Sequence, residues 1–256
     1  MSKRKRFILT SIILSLGFIG IQFIPNQYRF LSIGSLGVLT ILMFVWSLRE
    51  GLGFNSTILT LILPLFFTLG VGFFWFLLPT NVFTRIPIVI FYGIGIYSLC
   101  LTLNIYSVAA IRTIALLRAA RGVGFVLTLL TFFLVYDFLL SLKLHAYITS
   151  PFVALISFPL FLQGFWSIPL EKYIPSNVLK LSLVSSLIMS QIALSLFFWP
   201  VTVVVGSLFF TVACYVLLGL GQAKLEGRLF VQTIREYLFL ATIVSIGMFI
   251  ATRWGV

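Results

Sequence analysis

The chain has 256 residues, 61% hydrophobic and only 9% charged, against roughly 25% charged residues in an ordinary soluble domain. A soluble globule of this length needs a polar skin that this composition cannot supply, so the mass belongs in lipid. The net charge of +12 would point to nucleic acid in a soluble protein. Here the basic residues flank apolar stretches, which excludes nucleic acid in favour of membrane lipids and the anionic inner leaflet.

A helix that crosses a bilayer needs about 20 apolar residues. The sequence predicts about nine spans, near residues 7–25, 30–48, 54–78, 86–108, 122–142, 147–168, 178–199, 201–221 and 237–253. The expected fold is an all-α, polytopic transmembrane helix bundle, one integral membrane domain over residues 1–256. The first span follows Lys3-Arg4-Lys5-Arg6, as a signal peptide would. Its apolar run is too long, however, and no A-x-A site closes it before Pro25, so it reads as an uncleaved span.

Pro64 in the third span and Pro151 and Pro159 in the sixth read as helix breaks. Each removes a backbone donor and frees a carbonyl, and broken helices mark binding sites in transporters. In the fourth span Tyr97 and Asn104 lie seven residues apart on one face, near Ser98, Thr102 and Tyr106. The connector at 109–121 carries Arg112, Arg118 and Arg121 and reads as a helical extension of that span, anchored on lipid phosphates.

The fifth span holds Asp137, the one acid placed inside the membrane; Glu50, Glu171, Glu226 and Glu236 all fall between spans. A charge in hydrocarbon costs several kcal/mol, so such a residue is a functional candidate. Ser141 and His145 follow at i+4 and i+8, an expected stripe of acid, hydroxyl and imidazole along one helix face. Ser182, Ser186 and Ser190 repeat at i, i+4, i+8 in the seventh span, where they favour close helix approach. Together Asp137, Ser141, His145, Tyr97, Asn104, Ser186 and Ser190 form a candidate polar pathway.

Trp199-Pro200 marks a tight turn between the seventh and eighth spans. Beyond the eighth, Lys224, Arg228, Gln232 and Arg235 form a polar stripe with Phe230, Ile234 and Tyr237 largely opposite. Residues 222–236 are therefore expected to lie as a short helix flat on the cytoplasmic surface, or to dock a protein partner.

The positive-inside rule sets the orientation. With the N-terminus inside, thirteen basic residues fall in cytoplasmic gaps and four outside (Arg29, Arg85, Lys143 and Arg253), which supports N-in and C-out. Trp46, Trp75, Trp166, Trp199 and Trp254 fall at span ends, where an amphipathic ring meets the headgroups. The two cysteines, Cys100 and Cys214, lie within spans and do not indicate a disulfide. Their matching positions in spans four and eight raise a parallel duplication of spans 2–5 and 6–9.

Catalytic and cofactor signatures are missing. One histidine rules out bis-histidine haem ligation, and no H-E-x-x-H, P-loop or G-x-S-x-G occurs. No enzyme activity, catalytic residue, metal site or cofactor is expected. The sequence points to a small transporter, channel or lipid-handling protein of the cell membrane; the alternative is a non-catalytic membrane subunit or anchor for a protein complex.

Overall fold

A computed structural model describes residues 2–48, 54–78, 82–109, 115–171 and 173–252. Hydrocarbon offers no water to backbone N–H and C=O groups, so a spanning segment satisfies them inside a helix. Among the described residues the chain forms nine α-helices, two short 3₁₀ turns (Ile21–Phe23 and Asn26–Tyr28) and no strand. The helices are α1 (Lys3–Gly20), α2 (Arg29–Leu48), α3 (Phe54–Leu77), α4 (Val82–Ala109), α5 (Leu117–Ser141), α6 (Ala146–Trp166), α7 (Ser176–Phe197), α8 (Val203–Leu225) and α9 (Val231–Ala251). This is the expected polytopic bundle.

Eight helices, α2 to α9, are long and apolar enough to cross a membrane. The ninth, α1, falls short of that standard because four of its 18 residues are cationic. Its apolar part, Phe7 to the 3₁₀ turn ending at Phe23, is about 25 Å long at 1.5 Å per residue, the low end for a span. It nevertheless packs as its neighbours do. Phe7, Thr10, Leu14 and Phe18 are buried along one face, while Ile8, Leu9, Ile12 and Leu16 are exposed on the other. The Ser11 hydroxyl donates to the Gly93 carbonyl of α4 at 2.7 Å.

The chain divides into two compact units, Met1–Thr131 with Leu170–Tyr173, and Phe132–Pro169 with Ile174–Val256. In the first unit a hydroxyl chain ties three helices. Thr40 of α2 meets Thr68 of α3 at 3.1 Å, and Thr68 meets Tyr92 of α4 at 3.1 Å. Glycine allows the backbones this approach. A Cβ on Gly72 would sit 2.9 Å from Ile33, and one on Gly37 would sit 3.0 Å from Leu65. Arg29 and Arg85, two of the four cations expected outside, lie over the rings of Phe76 and Trp75 at 5.5 and 5.1 Å, a cation–π arrangement suited to partly desolvated guanidinium groups.

The second unit is built around Tyr136 of α5. Its hydroxyl meets Ser157 of α6 at 2.7 Å and the Cys214 sulfur of α8 at 3.6 Å. Phe132 and Phe210 lie against its ring, and Phe161 packs on Phe132. At the other end of α6 and α8, Gln222 donates to the Gly164 carbonyl at 3.0 Å. The α7–α8 hairpin turns at Trp199-Pro200 as expected, with the Thr202 side chain accepting from the Val205 amide at 3.4 Å as N-cap.

Three expectations fail here. First, α3 runs unbroken through Pro64 and α6 through Pro151 and Pro159. The carbonyl that proline frees lies four residues back, and the rest of each helix keeps its own ladder. Second, Arg118 and Arg121 belong to the start of α5, which opens at Leu117, rather than to an extension of α4; Arg112 lies outside the described residues. Third, residues 222–236 form no surface helix. Residues 222–225 are the last turn of α8 and 231–236 the first turns of α9. Between them Gly227 adopts φ +70. Its amide donates to Lys224 at 3.2 Å and that of Arg228 to Ala223 at 2.8 Å, the bond pair of a Schellman stop.

Only glycine takes this left-handed conformation freely, so Gly227→Ala should cost about 1 kcal/mol. Gly227→Asn should cost less; unfolding of the reconstituted protein checks the order. If α1 crosses the membrane with the others, cysteines replacing Ser2 and Asn81 should label from opposite faces of sealed vesicles. Labelling from one face would show that α1 does not cross.

Candidate functional site

Asp137 sits one turn before the C-terminal end of α5. Its side chain is 5% exposed, and Oδ1 accepts from the Ser207 hydroxyl of α8 at 3.0 Å. The Ser207 hydroxyl also lies 3.0 Å from the Val204 carbonyl. A carboxyl group costs several kcal/mol in hydrocarbon, and the partial negative charge of a helix C-terminus adds to that cost. A residue chosen for packing alone would not be an aspartate.

Beside this pair lies a half-open cavity of about 250 Å³. Leu140 and Lys143 of the α5 end line it, with Thr149 of α6, Ala193 of α7 and Gly206 of α8. Leu140 stands three residues after Asp137 and Gly206 immediately precedes Ser207, but neither Asp137 nor Ser207 lines the cavity itself. The walls are mainly aliphatic and aromatic, including Leu196, Trp199 and Val203. The lining hydroxyls are occupied locally. Thr149 donates to the Leu144 and His145 carbonyls, and Thr202 caps α8. Lys143 is the one charged residue of the lining.

The other sequence candidates separate. Ser141 is half-buried and donates to the Phe138 carbonyl of its own helix at 2.6 Å. The stripe expected to continue to His145 ends there, because α5 stops at Ser141 and the chain turns. His145 is the exposed N-cap residue of α6, its ring tilted against Tyr147 at 5.4 Å. Ser186 is buried and donates to the Leu183 carbonyl. Ser190 pairs with Ser150 of α6, hydroxyl to hydroxyl at 2.7 Å. Tyr97 and Asn104 are half-buried on α4 in the first unit; the rest of the set belongs to the second. Tyr106, beside them in sequence, is buried and donates to the Ala120 carbonyl at 3.2 Å.

The structure adds residues that periodicity did not single out: Ser207, Ser150 and the Tyr136–Ser157 pair. Ser207 follows Gly206 in a strongly apolar span, and two small residues at that point are the signature of a close helix approach. No group of three or more His, Cys, Asp or Glu side chains suited to a metal occurs among the described residues.

Ser207→Ala should cost about 1 kcal/mol of stability, since it strips a buried acceptor of its donor. Asp137→Asn keeps an acceptor oxygen and should fold with near-native stability. Parallel unfolding curves of the two variants test the contrast.

No curated protein and no solved structure matches the chain. A family profile described as a protein of unknown function (DUF5656) matches residues 9–251.

Proposed function

We propose that this chain, which belongs to the DUF5656 family, is a lipid-handling protein that takes one hydrocarbon chain of a membrane amphiphile into the cavity beside Asp137. The cavity is the observation that carries this reading. Its walls are apolar and its hydroxyls locally occupied, so water gains little there and an alkyl chain gains about 25 cal/mol for each Å² it buries. At about 250 Å³ it lies below the usual range for drug-sized ligands, so it suits part of a single chain and not a two-tailed lipid. No bond-making step and no cofactor belong to this reading.

The reading includes a place and an orientation. The protein sits in the cytoplasmic membrane, N-terminus inside and C-terminus outside. The support is the distribution of the basic residues. Arg118 and Arg121 open α5, while Lys224, Arg228 and Arg235 cluster at the α8–α9 turn, where each cation near an anionic leaflet contributes about 1 kcal/mol. On this orientation Lys143 and the mouth of the cavity lie at the outer side.

One observation favours a second reading, a non-catalytic membrane subunit. Met248 is the single buried residue of α9, although every other span has at least a third of its apolar window buried. Under the lipid-handling reading lipid covers that face; under the subunit reading a protein does. A photo-crosslinking residue at Phe239 should give lipid adducts in the native membrane. A discrete protein adduct there would favour the subunit.

Ala193→Phe places a ring in the cavity from a position only 4% exposed. It should abolish photolabelling of the cavity walls by an alkyl probe in reconstituted membranes while leaving labelling of α9 intact. Unchanged wall labelling would remove the cavity from the site.

A further inference from the structure

We infer that the ligand of this cavity is a single-chain amphiphile with an anionic head, its head paired with Lys143 and its chain admitted from the bilayer past Trp199. The inference rests on the lipid-handling reading and adds the ligand's charge and its route.

The charge follows from Lys143. It is exposed at the cavity mouth, and among the described residues no carboxylate pairs with it. The acids of its own unit are committed or distant. Asp137 is buried against Ser207. Glu226 lies just past the far end of α8, about 30 Å along that helix from the cavity, and Glu236 lies about 20 Å along α9 from Phe249, the ring that meets Trp199, at 1.5 Å per residue. His145, two residues on, is directed to Tyr147 and does not line the cavity.

The backbone points the same way. Lys143 holds φ 48, a left-handed conformation that glycine or asparagine adopts more readily. The amide of Lys143 donates to the Leu140 carbonyl at 3.2 Å, a turn that glycine would make without strain. A lysine at this turn puts the one cation of the lining beside an otherwise largely apolar cavity. An anionic head with an alkyl tail complements both features at once.

The route follows from Trp199. This side chain lines the cavity on one side and, on the other, a shallow groove along α9 made with Leu238, Ala241, Ile246 and Phe249. Its ring meets Phe249 edge-on at 6.2 Å. The groove is apolar in effect, because the hydroxyls of Thr242 and Ser245 donate to carbonyls of α9 itself. A hydrocarbon chain therefore has a continuous apolar track from the bilayer to the cavity, interrupted by one indole ring. Trp199 acts as a positioning residue for entry.

The test uses the full chain in phosphatidylcholine nanodiscs with two photoreactive probes of one chain length, hexadecyl phosphate and hexadecanol. Adducts are mapped by mass spectrometry. Lys143→Gln should lower the phosphate adduct on the cavity walls about tenfold, the loss of one charge-assisted contact, and leave the alcohol adduct unchanged. Lys143→Gly should lose the phosphate adduct equally while raising the unfolding temperature, because it relieves the left-handed strain; a purely structural lysine would not separate the two readouts. Trp199→Ala should speed exchange of both probes into the cavity several-fold, with Trp199→Phe intermediate. Cavity adducts of both probes that ignore Lys143→Gln overturn the assigned charge. Exchange rates that ignore Trp199→Ala overturn the route. Wild-type protein that gives no cavity adduct with either probe overturns the cavity reading itself, and this inference with it.

Discussion

A polar atom carried into hydrocarbon finds its partner most readily within the protein. The backbone meets the demand by forming helices. The side chains meet it mostly by folding back on their own helix. Thr40, Ser107, Thr128, Thr131, Ser182 and Thr211 each donate to the carbonyl four residues earlier. A hydroxyl so engaged behaves toward its neighbours as a small, nearly apolar group. Helices can then approach at serine and threonine without leaving an orphaned donor.

The few polar groups that do reach across therefore stand out, and one arrangement of them has a likeness in each unit. Each unit has a buried tyrosine whose hydroxyl meets partners on two other helices: Tyr92 through Thr68 to Thr40, and Tyr136 with Ser157 and Cys214. Each tyrosine also lies against a phenylalanine ring in near-parallel stacking, Phe67 in one case and Phe132 in the other. Hydrogen bonds between membrane helices are worth about 0.6 kcal/mol on average, so these networks fix register more than they add stability. Asp137 breaks the pattern. It is a carboxyl where a hydroxyl would serve, and it lies beside the cavity.

The sequence is legible here where the physics is one-dimensional. Span length is set by bilayer thickness, and hydropathy read along the chain located the eight long helices within a few residues of their ends. The chain reversal expected at Trp199-Pro200 is also found. What escaped depends on three dimensions or on a single dihedral. The polar stripe at 222–236 is genuine helical periodicity, but Gly227 stops one helix and the next starts four residues later, so the stripe is divided between two spans. His145 keeps the i+8 spacing from Asp137, yet α5 ends at Ser141 before that spacing is realised. Pro64, Pro151 and Pro159 show that a missing donor need not break a helix. The cavity was invisible for a simpler reason: most of its walls are leucine, valine, alanine and glycine, which carry no signature of a site until they are assembled.

The small buried surface of α9 bears on the life history of the molecule. Its approach to α8 depends on Gly219, where a Cβ would collide with the Tyr237 ring, and on the packing of Tyr215 against Tyr237. A helix with so few tertiary contacts separates from its fold at lower free energy than the helices around it. It also leaves the ribosome after the other described helices. The preceding helices must therefore persist in the bilayer for the seconds that synthesis takes at about 5–20 residues per second, with the flank of α8 bare to lipid. Pulled from its C-terminus, the chain would give up α9 first and resist only after the turn at Gly227.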